Sequence, residues 1–338
     1  NPTPSPAPND HTVPLTVPLA LTYDETIDPS TVSTRTFAVF AEQTGLLPGT
    51  YGVNSNTIIL TPTRPLKPGE LVQVSATTGT LSLVDGNSPT TPTVWQFRAA
   101  AGTAMGIFSE SDRVLGSSTA TAVELGDLDG DGDLDVFVGN YARVNQVWRN
   151  EGRALYTDSG QNLGSTQTND AALGDLDKDG DLDVFTANFG EANRVWLNDS
   201  HGVLTDSNQT LGSSDTNAVA LGDVDGDGDL DAFTANQNQP NRLWLNDGSG
   251  LFTDSGQALG TAATYAVALG DVDGDGDLDA LTGNSYESNR LWLNDGSGLF
   301  TDSNQSLGSE PTNAVTLGDL DGDGDVDAFV GNRGQPNS

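Results

Sequence analysis

Nine residues, Asp127-Leu128-Asp129-Gly130-Asp131-Gly132-Asp133-Leu134-Asp135, carry most of the chemistry available to this sequence, and the pattern is written five times at a 48-residue step. Acids occupy positions 1, 3, 5, 7 and 9 of every copy. They are Asp127, Asp129, Asp131, Asp133 and Asp135 in the first and Asp175, Asp177, Asp179, Asp181 and Asp183 in the second. The third has Asp223, Asp225, Asp227, Asp229 and Asp231, the fourth Asp271, Asp273, Asp275, Asp277 and Asp279, and the fifth Asp319, Asp321, Asp323, Asp325 and Asp327. Alternate carboxylates with a glycine at position 6 can curl around one hard cation, the glycine permitting the sharp turn. Left bare, carboxylates about 4 Å apart repel by roughly 1 to 4 kcal/mol per pair. Ca²⁺ accepts about six to eight oxygens and turns that crowd into a coordination shell, whereas Mg²⁺ keeps its waters. The expectation is about five Ca²⁺ per chain.

The loop opens like an EF-hand, but position 12, where that motif needs a bidentate Glu, is Val138, Thr186, Thr234, Thr282 or Val330. The residues after position 9, Val136-Phe137-Val138-Gly139, read as a strand and not a helix. Side chains 1, 3, 5 and 9 are the expected ligands. Position 7 is expected to offer its backbone carbonyl, with Asp133 and its counterparts pointing outward in support. Lys178 stands where the other copies have Gly at position 4, so the second site is expected to bind more weakly. The plain alternative is an acidic turn that binds nothing.

The string Gly-Asp-x-Asp-x-Asp-Gly-Asp-x-Asp followed by an apolar strand resembles the FG-GAP and VCBS-type repeats over roughly residues 105–338. The resemblance implies a β-propeller of four-stranded blades with Ca²⁺ in loops between the first two strands of each blade. The literal Phe-Gly and Gly-Ala-Pro signatures are absent, which favours the VCBS-type relatives.

The 338-residue chain changes composition near residue 100, which points to two domains. Acids outnumber bases 7 to 4 before that point and 41 to 9 after it. Five Ca²⁺ would reduce the net charge from −35 to −25, still a poor partner for nucleic acid. With no cysteine there is no disulfide, thiolate zinc site or thiol nucleophile. Abundant Gly, Asn, Thr and Ser with little Lys, together with loops that fill where calcium is plentiful, indicate a secreted bacterial surface protein. No apolar run reaches the length of a membrane-spanning helix, and no signal peptide precedes Asn1, as expected of a processed or excised chain.

Residues 1–10, with Pro at 2, 4, 6 and 8, read as an extended leader or linker. From 11 to 100, runs such as Val13–Tyr23, Thr57–Thr61, Leu71–Ala76 and Thr93–Phe97 alternate with turns in the manner of a β-sandwich. The stretch from Thr22 to Thr31, with Pro65-Leu66-Lys67-Pro68-Gly69-Glu70 and Trp95-Gln96-Phe97, resembles bacterial Ig-like domains. Asp28 is expected to cap a short turn opened by Pro29, and Trp95 to lie in the core. The two regions should be independent domains joined near Ala99-Ala100-Ala101-Gly102-Thr103.

Each unit divides into four strand-like pieces, as in Asn217–Asp223, Leu230–Asn236, Asn241–Asn246 and Leu251–Leu259. Trp148, Trp196, Trp244 and Trp292 recur in the third piece and are expected to pack between blades. Arg194, Arg242 and Arg290 share one position, where pairing with nearby acids is the plain reading and an acidic polysaccharide the other. The fifth unit ends at Ser338 before its third-strand Trp, due at 340. With residues 107–116 as a lone fourth strand, the count is 19 where five closed blades need 20. Either the chain continues or a neighbouring copy donates a strand at an open edge, head to tail.

Two histidines, His11 and His201, have no repeated partner, and the loop aspartates are committed to metal, so no catalytic residue is assigned. The expectation is a non-enzymatic calcium-binding surface protein for adhesion or extracellular, including filamentous, assembly. Its partners would be other protein subunits or surface glycans. A carbohydrate-binding module, or an accessory part of a secreted polysaccharide-active enzyme, is the alternative.

Overall fold

The computed structural model describes residues 2–101, 113–152, 154–164, 167–321 and 325–338. The architecture is all-β, with one 3-10 turn, Pro29–Thr31, among the described residues. Eight strands form the N-terminal region: β1 (Thr3–Ser5), β2 (Leu19–Thr22), β3 (Phe37–Ala41), β4 (Gly45–Leu46), β5 (Gly49–Asn54), β6 (Thr57–Pro62), β7 (Leu71–Ala76) and β8 (Thr93–Arg98). They pair in two antiparallel sheets, β1-β2-β6-β5 and β4-β3-β7-β8. One core lies between them, with Leu21, Ile58 and Leu60 from the first sheet meeting Phe37, Val74 and Trp95 from the second. Asp28 caps the 3-10 turn, its carboxylate accepting the Ser30 N–H at 2.9 Å.

The leader is extended but does not hang free. Thr3, Pro4 and Ser5 pair with Thr22, Leu21 and Ala20 at the sheet edge, where a proline without an N–H can be tolerated.

After residue 113 the chain builds four antiparallel four-stranded sheets and one two-stranded sheet. The third unit shows the plan: Thr216–Gly222, Asp231–Asn236, Arg242–Asn246 and Phe252–Asp254, each pairing with the next. Asp231–Asn236 is buried along its whole length, as expected of a strand covered on both faces. The fourth strand is shorter than the sequence pattern predicts, because Gly256 turns the chain at φ +79°. Beyond it Leu259 keeps only a single bridge to Asn241.

First strands of consecutive units lie side by side. Trp196, Trp244 and Trp292 each pack into the apolar cluster of the preceding unit; Trp244, for instance, meets Leu176, Phe185 and Val195. Their indole N–H groups donate to Thr186, Thr234 and Thr282 at 3.4, 3.2 and 3.2 Å. In the first unit Val138 holds that place, and the Trp148 Nε1 has no partner. The last unit contributes Thr312–Gly318 and Asp327–Asn332. Of the residues read as a lone fourth strand, 107–112 lie outside the described residues, and 113–116 form no strand.

The two regions are joined by more than a linker, of which Gly102 and Thr103 lie outside the described residues. Strand β3, Phe-Ala-Val-Phe-Ala, is buried at all five positions. Phe37, Val39 and Ala41 enter the sandwich core, while Ala38 and Phe40 enter the core shared with the second and third repeat units. Side chains alternate across a strand, so an unbroken apolar run means both faces are covered. The sandwich is seated on the Asp loops. Asp127 N–H donates to Gln43 O at 3.3 Å, Lys67 Nζ donates to Gly132 O, and Val94 N–H donates to Gly276 O at 2.9 Å.

Gly226, position 4 of the third loop, lies so close to Pro92 that an added Cβ would stand 2.1 Å from the ring Cγ. The equivalent Gly274 has the same left-handed φ and open space around it. Gly274→Ala should therefore cost about 1 kcal/mol for the backbone alone, and Gly226→Ala about 1–3 kcal/mol more through the displaced sandwich. Urea denaturation in calcium measures both, and equal losses would show that the seat on Pro92 carries no energy.

Candidate metal centres

Each Asp loop joins the first and second strands of its unit and closes by hydrogen bonds from its own backbone. Position 4 is left-handed at Gly130, Lys178, Gly226 and Gly274, with φ between +62° and +77°. Position 6 is Gly132, Gly180, Gly228 and Gly276, with φ from +87° to +100°, a range that side chains rarely adopt. That turn brings the position 6 N–H back to the position 1 carboxylate at 3.1, 3.1, 3.0 and 3.2 Å in the first four loops.

Position 9 is the clasp. Asp183 accepts the Leu176 N–H at 2.8 Å on one oxygen and the Asn198 N–H at 2.8 Å on the other, tying the loop start to the third strand. Asp135, Asp231 and Asp279 make the same pair of bonds. Bonds to a charged acceptor contribute about 1.5–3 kcal/mol each, so this carboxylate holds the loop as well as facing the site.

In every loop, three carboxylates each bring an oxygen within 4.8 Å of the other two. They are Asp127, Asp129 and Asp135; Asp175, Asp177 and Asp183; Asp223, Asp225 and Asp231; Asp271, Asp273 and Asp275; and Asp319, Asp321 and Asp327. Positions 1 and 3 thus converge everywhere, position 9 in four loops and position 5 in the fourth. In all of the first four loops, the fourth included, the position 5 carboxylate accepts the position 7 N–H, as Asp179 does from Asp181 at 3.0 Å. Position 7 lies outside all five groups: Asp133, Asp229 and Asp277 sit against Gly152, Gly248 and Gly296 in the turn between third and fourth strands. Asp323 lies outside the described residues.

The residues fit a hard cation. The Oδ1 atoms of Asp127 and Asp175 are buried with no hydrogen-bond donor, a costly state for a carboxylate oxygen unless a cation faces it. Burial, helped by neighbouring carboxylates, raises Asp175 to about 7 and Asp223 to about 7. Burial likewise takes Asp183 to about 8 and Asp135 to about 6 against its backbone bonds, and drives Asp231 well up. Without a counter-charge the second and third loops would hold protons near neutral pH; an all-oxygen, multiply anionic donor set is what Ca²⁺ requires.

Lys178 does not enter its own loop. Its ammonium crosses to the third loop and pairs with Asp229, leaving the Asp175, Asp177 and Asp183 group clear. The arginines pair within their own sheets, Arg194 with Asp206 at 3.5 Å, Arg242 with Asp254 at 3.6 Å and Arg290 with Asp302 at 3.3 Å.

One set of residues escaped the sequence reading. The Asn198 side-chain amide donates to its own loop at Leu182 O, 3.0 Å, and to the preceding loop at Leu128 O, 2.7 Å. Asn246 and Asn294 repeat the staple. The signal is present in the sequence, since an Asn follows each repeated Trp by two positions.

Raised carboxylate pKa values mean that, without metal, the folded chain binds more protons than the unfolded one between about pH 4 and 8. Stability of the metal-free chain should then fall as pH rises through that window, while calcium, which displaces those protons, should bind better. The difference in Tm between calcium and BAPTA is expected to widen from about pH 5 to about pH 8. A constant difference would mean that the loop carboxylates do not carry the effect.

Known families match both regions. A model of the FG-GAP-like repeat matches residues 127–186, 175–234, 223–282 and 271–330, and a bacterial Ig-like domain model matches residues 3–99. No curated protein sequence matches the chain. Among solved structures, BBS1N in complex with ARL6DN, soaked with mercury, is similar at 10% identity and a TM-score of 0.47, covering 98% of this chain and 92% of that one. The lead-soaked form of that complex gives 11% identity and a TM-score of 0.46, covering 96% and 95%.

Proposed function

The chain belongs to the FG-GAP-like repeat family and carries a bacterial Ig-like domain, and from that premise we propose a non-enzymatic, secreted, calcium-binding surface protein used for adhesion or extracellular assembly. On this reading an Ig-like β-sandwich is mounted on a β-propeller whose blades are stiffened by Ca²⁺. The observation that carries it is the five-fold convergence of carboxylate oxygens within 4.8 Å, two of the groups holding a buried oxygen without a donor. A catalytic role has little to draw on among the described residues: His201 is exposed, its ring nitrogen set against Asp199.

Protein subunits and surface glycans are the partner classes that fit.

Calcium should control folding of the repeats. A site filled at a hundredfold excess over its Kd adds about 2.7 kcal/mol, so several independent sites should raise Tm by tens of degrees over an EGTA-treated sample. Equilibrium dialysis should return about five ions per chain, and Asp223→Ala should lose one of them. Identical melts with and without calcium would rule the reading out.

A further inference from the structure

A half-enclosed cavity of about 300 Å³ lies where the sandwich sits on the repeats. Its roof is a cross-strand row on the outer face of the second sandwich sheet, Phe40 beside Gln73 beside Gln96. Its floor holds Glu124 and Asp170, from the first strands of the first and second units, and neither belongs to an Asp loop.

Three features of this cavity point to a ligand. Glu124 has no hydrogen-bond or ionic partner among the described residues, and burial together with Asp170 and Glu42 pushes it up to about 8. Asp170 accepts the Val219 N–H at 3.0 Å but has no cation beside it among the described residues. A further carboxylate, Glu42, lies 4.0 Å from Arg98 at the exposed rim, and no basic side chain among the described residues lines the cavity. Gln73 is 6% exposed, and its oxygen takes the Gln96 amide at 3.3 Å, which leaves its Nε2 buried in the cavity wall with no acceptor. The apolar wall comes from Phe40, Leu173 and Leu221, and Asp175 of the second Asp loop also borders the cavity.

We propose that this cavity binds a small organic ammonium ion that also carries oxygen acceptors, the chemistry of an amino sugar. The carboxylates take the N–H donors, Gln73 Nε2 donates to a hydroxyl oxygen, and the apolar wall covers the carbon face. A hydrated metal ion would leave that wall unused. The volume is that of about ten waters, ample for one such molecule.

Calorimetry on the full chain in saturating calcium tests this with glucosamine, using glucose and N-acetylglucosamine as uncharged controls. Glucosamine should bind one per chain, at least about tenfold tighter than either control, as one charge-assisted contact implies. Glu124→Gln should weaken it by about the same factor without lowering Tm. Ala172→Leu, which fills the cavity and keeps both carboxylates, should abolish it. The proposal is overturned if glucosamine binds no better than glucose, if Glu124→Gln binds as wild type, or if a sixth calcium ion displaces the sugar.

Discussion

Carboxylates held too close together are the constraint on which this fold depends. A glycine at position 6, bent to a φ that side chains rarely adopt, turns the chain so that positions 1 and 3 meet, with position 9 closing from the next strand in four of the loops. Backbone N–H groups satisfy part of that charge, one on each oxygen of the position 9 clasp. The buried Oδ1 atoms of Asp127 and Asp175 remain unsatisfied by protein. Since burial penalises the ionised form, the loops must take up either protons or a cation, and at neutral pH the second choice keeps the carboxylates charged and the turn closed.

The consequences of that choice spread because the loops are built into both interfaces. Asn198, Asn246 and Asn294 each join one loop to the preceding one, and Trp196, Trp244 and Trp292 pack behind them. On the other side the sandwich rests on loop backbone at Asp127, Gly132, Gly226 and Gly276. A loop that opened would loosen its neighbour and the seat of the sandwich together. The Asp loops are thus joints of the structure, which suits a chain of repeats whose sheets each depend on neighbouring ones for burial.

Much of this was legible in the sequence because it repeats. A 48-residue step gave the units, their Asp loops and the Trp positions, and short-range patterns gave β7, the Asp28 cap and the burial of Trp95. What escaped depends on contacts between segments far apart in the chain. Lys178 was read as a local flaw, but its length lets the ammonium reach Asp229 in the next unit. The reading of residues 1–100 as their own domain did not include the face that they turn to the repeats, which the unbroken apolar run Phe37–Ala41 marks as a strand covered on both sides. The leader prolines implied extension but not the pairing of Thr3–Ser5 with Leu19–Thr22. Nothing in the spacing of Glu124 and Asp170 announces that the sandwich roofs them over.

Hydrogen exchange at the clasp amides tests the central claim most directly. The N–H groups of Leu128, Leu176 and Val224, and of Asn150, Asn198 and Asn246, all donate to position 9 carboxylates. With calcium they should exchange slowly, through opening of the whole repeat region. In EGTA they should become fast in every loop, while the amides of Val74 and Trp95 in the sandwich core keep their protection. Clasp amides equally slow in both conditions would contradict a structure closed by cations.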